Sequence, residues 1–192
     1  MSGAEAAGWR TEHSELLCDA KYLRVYRDKI FTPTRTNNPV EWIAVRRPTA
    51  AVVAPRTPEG KYLLIRQERV VVQRTIWEFP AGQVDDTTIT EEAIRTTALR
   101  ELGEETGMVA KGGLEALGYF FTSPGFTDEC CHLFLAKDVE PRAEGSRHDE
   151  HEAILEVRAF SAEELERMIA EGEIIDSNTL TTYARLRARR LL

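Results

Sequence analysis

Long apolar runs are absent from this sequence. No stretch approaches the roughly 18 to 20 consecutive apolar residues that a membrane-spanning helix needs, and 30% of the residues are charged. Residues 1–10 are small or polar, with no basic segment followed by an apolar one, so we expect no secretory signal. These features predict a globular protein without a membrane partner, long enough at 192 residues to bury a core.

Cysteine is scarce, and its few positions do not suggest a disulfide framework. Three cysteines, Cys18, Cys130 and Cys131, cannot all pair within one chain. Their spacing also matches no common zinc-binding pattern. We therefore expect three reduced thiols and a cytoplasmic location.

Positive charge is in the minority, with 25 Lys and Arg against 32 Asp and Glu, for a net charge of −7. Nucleic acid binding rewards clustered Lys and Arg along the phosphate backbone, so we do not expect a nucleic acid partner. The arginines near the C-terminus fall on a predicted helix end, where cations complement the helix dipole. An acidic protein that acts on an anionic substrate needs local cations, and metal ions would supply them.

The order of predicted elements indicates an α+β domain with a mixed sheet. Short apolar runs from Leu16 to Val45, interrupted by the polar stretch Thr34 to Asn38, predict an antiparallel hairpin or meander. Strands are predicted at 49–54, 62–66, 117–121, 131–136 and 153–160, and helices at 91–106, 161–171 and 180–191. We therefore expect a flexible tail and an N-terminal β appendage in residues 1–48, and the main domain in residues 49–192.

The most informative segment is the acidic part of the predicted helix 91–106. Residues three and four apart share a helix face. One such face carries an apolar stripe, formed by Ile94, Ala98 and Leu102. Glu101 and Glu105 fall beside this stripe, and Glu104 lies further round the helix. Two carboxylates are thus predicted at the edge of a buried face.

Crowded carboxylates need an explanation. Like charges four residues apart destabilise a helix by about 0.2–0.5 kcal/mol, and desolvation favours the neutral forms. One interpretation is a solvated helix held by salt bridges. The other is a divalent cation with oxygen ligands among the glutamates. Arg100, four residues before Glu104, would then orient one carboxylate.

The nine residues from Arg100 to Met108 (Arg-Glu-Leu-Gly-Glu-Glu-Thr-Gly-Met) resemble the second half of the Nudix box, the signature of hydrolases acting on nucleoside diphosphates linked to another group. Gly82 and Glu92 are similar to the upstream glycine and glutamate of that box. The nine residues between them exceed the usual number, so either the loop is extended or a helical turn is inserted. The turn composition of residues 85–88 favours the loop, and the role of Glu92 stays open.

The resemblance continues on both sides of the box. The segment from Trp77 to Gly82 looks like the strand and loop that precede the box in the ADP-ribose pyrophosphatase subfamily, where the residue matched by Ala81 gives its backbone carbonyl to a metal. Pro124, sixteen residues after Met108, matches a proline that marks the subfamily. The resemblance implies a Nudix fold, an α/β/α sandwich around a mixed β-sheet, with N-terminal strands that exchange between the subunits of a homodimer.

The same resemblance implies a set of catalytic and metal-binding residues. Mg²⁺, or alternatively Mn²⁺, would be held by Ala81, Glu101, Glu104 and Glu105. Glu105 and Arg100 are also assigned catalytic roles. The catalytic base is implied to lie on a loop well after the box, where Glu150 and Glu152 are alternatives that the sequence does not separate.

Substrate contacts are also implied by resemblance. Tyr22 and Trp42 look like the aromatic positions that hold an adenine between rings, and Arg47 and Arg69 look like residues that contact phosphate or ribose. Pro124 joins them as a substrate-binding candidate. Aromatic and cationic groups suit a nucleotide, although Trp42 in an alternating strand is equally well explained as a core or interface residue.

The function implied is Mg²⁺-dependent hydrolysis of ADP-ribose to AMP and ribose 5-phosphate. Other nucleoside diphosphate sugars, such as GDP-mannose or ADP-glucose, are alternative substrates. A non-catalytic sensor that binds ADP-ribose and regulates a partner is an alternative of another class. The box glutamates are retained here, which argues against the sensor.

Overall fold

The computed structural model describes residues 8–84, 89–143 and 153–192. The chain divides into two compact units. One unit runs up to Thr49 and includes Phe121–Cys130, and the other comprises Ala50–Phe120 and Cys131–Leu192. The first unit thus ends one residue beyond the expected appendage, and it gains a segment from a distant part of the chain.

The first unit contains a three-stranded antiparallel meander of β1 (Arg10–Ala20), β2 (Leu23–Thr32) and β3 (Arg35–Arg46). Strand β2 is central and pairs with both neighbours. The predicted meander is confirmed. Strand β1 begins at Arg10, whereas the composition of residues 1 to about 12 favours a loose tail.

One predicted turn was misplaced. The polar residues from Arg35 to Asn38 belong to β3, because Arg35 pairs with Thr32 and the chain reverses through the two residues between them. Their side chains are exposed on an edge strand, where polar residues remain solvated. Composition alone therefore marked a turn where pairing forms a strand.

The second unit is built around a mixed sheet. The strands of its described part are β4 (Ala50–Pro55), β5 (Tyr62–Arg69), β6 (Arg74–Glu78), β7 (Ala81–Gln83), β8 (Met108–Ala110), β9 (Leu114–Phe121), β10 (Cys130–Ala136), β11 (Val139–Pro141) and β12 (Ile154–Phe160). The central sheet has the order β7-β4-β10-β9, in which β4 runs parallel to β10 and antiparallel to β7. A second sheet has the antiparallel order β12-β5-β6, and β8 pairs with β11.

Local capping signals set the ends of the helices α1 (Glu91–Thr106), α2 (Ala162–Ala170) and α3 (Ser177–Ala188). Thr90 caps α1, and Gly107 ends it in the left-handed conformation at φ 70°, which glycine adopts without strain. Ser161 forms a capping box with Glu164 at the start of α2. Because α1 begins at Glu91, the extra residues after Gly82 precede the helix and do not lengthen it.

Helices pack on both faces of the central sheet. Alternate residues of β4 point to opposite sides, so Val52 and Ala54 enter one core cluster and Ala51 and Val53 the other. The first cluster includes side chains of α2 and α3, namely Leu165, Met168 and Leu186. The second includes the apolar stripe of α1, namely Ile94, Ala98 and Leu102. The predicted α+β class, with a mixed sheet between helices, is confirmed.

None of the described helices is long and apolar enough to cross a membrane. Cys18 is an exposed free thiol and Cys130 a buried one, as expected for these two residues.

Candidate functional site

The last two turns of α1 bury two carboxylates. Glu101 is 4% exposed and Glu105 is 1% exposed, on the face that also carries the fully buried Leu102. The side chain of Glu104 is 36% exposed. The prediction that Glu101 and Glu105 lie beside the apolar stripe is confirmed, whereas Glu104 lies at the edge of that face.

Both buried carboxylates contact the backbone at the start of β7. Glu105 Oε2 accepts the backbone N–H of Ala81 at 2.9 Å. A methyl group built on Gly82 would lie 1.7 Å from Glu101 Oε1, so the carboxylate occupies space that any other side chain at position 82 would need. The missing side chain therefore lets α1 approach this backbone closely.

Arg100 orients the glutamates around it. Its guanidinium forms ion pairs of 2.7 Å with both Glu104 and Glu101, and it donates to the Gln83 carbonyl at 3.4 Å. The expected pair with Glu104 is present, and the pair with Glu101 is additional. One arginine thus ties the exposed and the buried carboxylate to the end of β7.

These groups fit a divalent cation. Glu105 accepts the N–H of Ala81 and Glu101 lies against Gly82, so two hard carboxylate donors of α1 lie beside the backbone at the start of β7. Among residues 8–84, 89–143 and 153–192, no group of three or more His, Cys, Asp or Glu side chains converges as a ready-made metal site. Mg²⁺ does not require one, because it commonly binds through one or two carboxylates and keeps waters or substrate phosphates as its other ligands.

Arg69 is held by a buried carboxylate that the sequence did not indicate. Its Nε donates to Glu78 Oε1 at 2.8 Å and to Oε2 at 3.1 Å, and its Nη2 also donates to Oε2. The side chain of Glu78 is 2% exposed and that of Arg69 is 42% exposed. The two-pronged pair fixes the guanidinium on the same sheet face as Ile65, because Glu78 pairs with Ile65 across β5 and β6.

The charges around this pair influence one another. Burial raises the pKa of Glu78, the bond from Arg69 opposes that rise, and the charge of Asp176 adds to it. The hydrogen bond to Glu78 raises the pKa of Arg69, with smaller contributions from the charges of Asp176 and Glu105. The charges of Asp176 and Glu105 thus act on the pKa of Arg69 in the same direction as its hydrogen bond to Glu78.

In the first unit, Trp42 and Arg47 both bind the segment that contains Pro124. The indole N–H of Trp42 donates to the Gly125 carbonyl at 2.7 Å. Arg47 forms an ion pair of 3.2 Å with Glu129, and its backbone N–H donates to Asp128 at 3.1 Å. Three of the five substrate-binding candidates are therefore brought together within this unit.

Two further residues singled out in the sequence, Tyr22 and Glu92, have exposed side chains. Tyr22 is 52% exposed, and its ring has the Lys21 ammonium 4.8 Å from its centroid. Glu92 is exposed in the first turn of α1. Glu150 and Glu152, the alternatives for the catalytic base, lie outside the described residues.

Comparisons with known proteins agree with this fold. Residues 45–182 match the family model described as NUDIX domain. ADP-ribose pyrophosphatase of Bacillus subtilis (strain 168) is 35% identical over 170 residues, which cover 88% of each protein. Methanol dehydrogenase activator of Bacillus methanolicus is 32% identical over 183 residues, which cover 95% of each protein.

A solved structure supports the fold independently. A protein described as "Crystal structure of ADP compounds hydrolase" matches with a TM-score of 0.74, covering 94% of this chain and 93% of that one at 17% identity. At this identity the likeness concerns the fold alone.

Proposed function

The chain belongs to the NUDIX domain family as a Nudix pyrophosphohydrolase, and from that premise we propose that it hydrolyses the diphosphate linkage of ADP-ribose, with Mg²⁺, to AMP and ribose 5-phosphate. The observation that carries the proposal is the pair of buried carboxylates, Glu101 and Glu105, held against the backbone of Ala81 and Gly82. The similarity to an ADP-ribose pyrophosphatase over 88% of the chain supports the choice of substrate.

Glu101, Glu105 and the Ala81 carbonyl would hold the metal ion, and Glu104 would join them after leaving Arg100. When bound, Mg²⁺ or Mn²⁺ neutralises phosphate charge and lowers the pKa of a coordinated water. The protein contributes by fixing these oxygen ligands before the substrate arrives, since α1 and the start of β7 are already in contact. Arg100 keeps Glu101 oriented through their ion pair.

Hydrolysis also needs a base to take the proton of the attacking water. Glu150 or Glu152 is proposed for this role, as the sequence resemblance implies. Replacing each by glutamine tests the assignment: the base variant should lose turnover while it retains its affinity for the metal. The other variant should keep both properties.

Substrate binding is proposed for Tyr22, Trp42, Arg47, Pro124 and Arg69. The bonds from Trp42 and Arg47 to the segment 124–129 support the part of this proposal that concerns the first unit. The rigid pairing of Arg69 with Glu78 supports a role for Arg69 as an oriented cation, because a fixed guanidinium loses little freedom on binding an anion.

We propose a cytoplasmic homodimer that has neither a nucleic acid nor a membrane as partner. Exposed apolar side chains on the meander support an interface between subunits, among them Leu16, Leu17, Tyr22, Leu23 and Ile43. The free thiols of Cys18 and Cys130 support a reducing compartment. Sedimentation velocity tests the oligomer, and a monomer at micromolar concentration would contradict it.

A substrate panel tests the proposed reaction. ADP-ribose, ADP-glucose and GDP-mannose are each incubated with the protein and Mg²⁺ or Mn²⁺, and the released nucleoside monophosphate is measured. ADP-ribose with Mg²⁺ should give the highest kcat/KM. Equal or greater turnover of the GDP sugar would contradict the substrate.

Glu105→Gln tests the role of the buried carboxylate. Turnover should fall at least about a hundredfold, because even the loss of a group that supports a metal ligand commonly costs about 10- to 100-fold. Glu91→Gln is the matched control on the same helix, since the Glu91 side chain is 83% exposed. Equal activity in the two variants would contradict the proposed site.

A second candidate function is regulation of a partner protein, and the similarity to a methanol dehydrogenase activator over 95% of the chain favours it. The Glu105→Gln variant separates the two functions. A regulator that acts by binding should affect its partner as the unaltered protein does, whereas a regulator that acts by hydrolysis should lose its effect together with turnover.

A further inference from the structure

The segment Phe79–Gly82, which runs from the end of β6 into β7, is fixed by contacts from several elements. Val53 of β4 donates its N–H to the Pro80 carbonyl at 2.9 Å. Glu105 of α1 accepts the N–H of Ala81 at 2.9 Å, and Glu101 lies against Gly82. The segment that would offer the Ala81 carbonyl to a metal ion is therefore held from the sheet and from α1.

A further contact comes from α3, near the C-terminus. The N–H of Phe79 donates to Thr179 Oγ1 at 2.9 Å in a buried position. Strand β6 ends at Glu78, so this N–H lies just beyond the strand pairing. A buried backbone N–H needs an acceptor, and Thr179, one hundred residues away along the chain, supplies it.

Asp176 determines how the Thr179 hydroxyl is used. Asp176 Oδ2 accepts the backbone N–H of Thr179 at 2.8 Å and also its Oγ1–H at 2.8 Å. A hydroxyl has a single proton to donate. With that proton directed at Asp176, the oxygen presents its lone pairs to Phe79 and acts as an acceptor there.

The hydrogen bond between Phe79 and Thr179 lies next to a second residue of interest, Glu78. Glu78 precedes Phe79 and holds Arg69 from its buried position. The backbone between Glu78 and Ala81 is thus anchored to α3 at Phe79. A shift of the Phe79 backbone would move Glu78, which holds Arg69, together with the backbone of Ala81, the candidate metal ligand.

We infer that Thr179, oriented by Asp176, is a positioning residue for the segment Phe79–Gly82, so that α3 forms part of the support of the candidate metal site. The inference deepens the proposed function and rests on it for the role of the metal. Thr179 does not touch substrate or metal in this account, and it acts through the backbone of Phe79.

Thr179→Val removes the hydroxyl and keeps the shape of the side chain. Thr182→Val is a matched control, because Thr182 is also fully buried on α3 and its hydroxyl donates to the Asn178 carbonyl of the same helix at 2.7 Å. Thr179→Ser restores the hydroxyl. Three measurements are made on each full-length variant: hydrogen exchange of the Phe79 and Ala81 amides without metal, Mn²⁺ affinity by electron paramagnetic resonance, and thermal unfolding.

Thr179→Val should speed exchange at Phe79 and weaken Mn²⁺ binding about tenfold, which corresponds to about 1.4 kcal/mol. Thr179→Ser should bind Mn²⁺ nearly as the unaltered protein does. Thr182→Val should lower the unfolding temperature without changing Mn²⁺ affinity. This separation distinguishes positioning of the segment from general support of the helix.

Unchanged Mn²⁺ affinity in Thr179→Val, or an equal loss in Thr179→Val and Thr182→Val, would overturn the inference. If Thr179→Val does not fold, Thr179→Ala takes its place in the same measurements. The proposed function fails separately: the unaltered protein would then bind Mn²⁺ and respond to Thr179→Val as stated, yet release no nucleoside monophosphate from any sugar in the substrate panel.

Discussion

Replacing Gly82 by alanine tests whether the close approach of α1 to the start of β7 is needed for catalysis. The added methyl carbon would lie 1.7 Å from Glu101 Oε1, 2.2 Å from its Cδ and 2.9 Å from its Cγ. Ordinary contact begins at 3.4 Å, so the carboxylate oxygen must retreat by about 1.7 Å. The φ of Gly82 is not in the left-handed region. An alanine at position 82 would therefore clash with Glu101 but would cause no backbone strain.

The size of the displacement of the Glu101 carboxylate determines the loss of catalytic rate that we expect. A misplacement of about 1 Å can lower an enzymatic rate about a hundredfold, and a hundredfold corresponds to about 2.7 kcal/mol of transition-state stabilisation. We therefore expect kcat/KM for ADP-ribose to fall at least about a hundredfold in Gly82→Ala. The assay is steady-state release of AMP over a range of Mg²⁺ concentrations, with circular dichroism to confirm folding.

Gly103→Ala is the matched control on α1. Its methyl carbon would lie 2.9 Å from Nη1 of Arg142, the end of a long side chain that can move aside. Alanine is also favoured over glycine inside a helix by about 1 kcal/mol, so stability should not fall. Activity of Gly82→Ala within about tenfold of the unaltered protein, a difference of about 1.4 kcal/mol, would refute the reasoning about Glu101.

Three further predictions concern other parts of the chain. Burial raises the pKa of Glu78 above its ordinary value of 4.5. The contribution of Glu78 to the free energy of unfolding should therefore fall as pH rises from that value through the raised pKa. In urea titrations across this pH window, the unaltered protein should lose stability more steeply than Glu78→Gln, and parallel stability curves would contradict the prediction. Trp42→Ala should raise KM for ADP-ribose about tenfold if the ring stacks on the base. Trp42→Phe, which keeps a smaller aromatic ring and lacks the donor to Gly125, should raise KM less, and an unchanged KM in the alanine variant rules out stacking. Met168→Ala should lower the free energy of unfolding by about 2–5 kcal/mol because the side chain is fully buried, whereas Leu155→Ala, at 57% exposure, should change it by less than about 0.5 kcal/mol in the same urea titration.

The parts of the fold that local signals determine could be predicted from the sequence. Helix α1 runs from Glu91 to Thr106 as expected, because Thr90 caps its start and Gly107 its end. The burial of Glu101 and Glu105 also followed from the sequence, since helical periodicity fixes which residues accompany an apolar stripe.

Features that depend on distant pairing were missed. The start of β3 at Arg35 depends on its register with β2, which composition does not reveal. The role of Glu78 as partner of Arg69 and the acceptor that Thr179 provides for Phe79 join residues from different elements. No rule of sequence spacing relates these residues, so their contacts are seen only in the folded structure.

The same limit applies to the segment that contains Pro124. Resemblance marked the proline as a substrate-binding candidate, but it did not indicate that the indole of Trp42 would bind the next residue, Gly125. Eighty-three residues separate the two positions. The contact depends on how Phe121–Cys130 joins the first unit.

The most direct test of the account is the anomalous density of Mn²⁺ in crystals that also contain a non-hydrolysable ADP-ribose analogue. A peak about 2 Å from carboxylate oxygens of Glu101 and Glu105 and from the Ala81 carbonyl, next to the diphosphate, is the predicted result. If Mn²⁺ binds elsewhere while Glu101 stays paired with Arg100 and Glu105 with the Ala81 N–H, the buried glutamates are structural and the catalytic account is wrong.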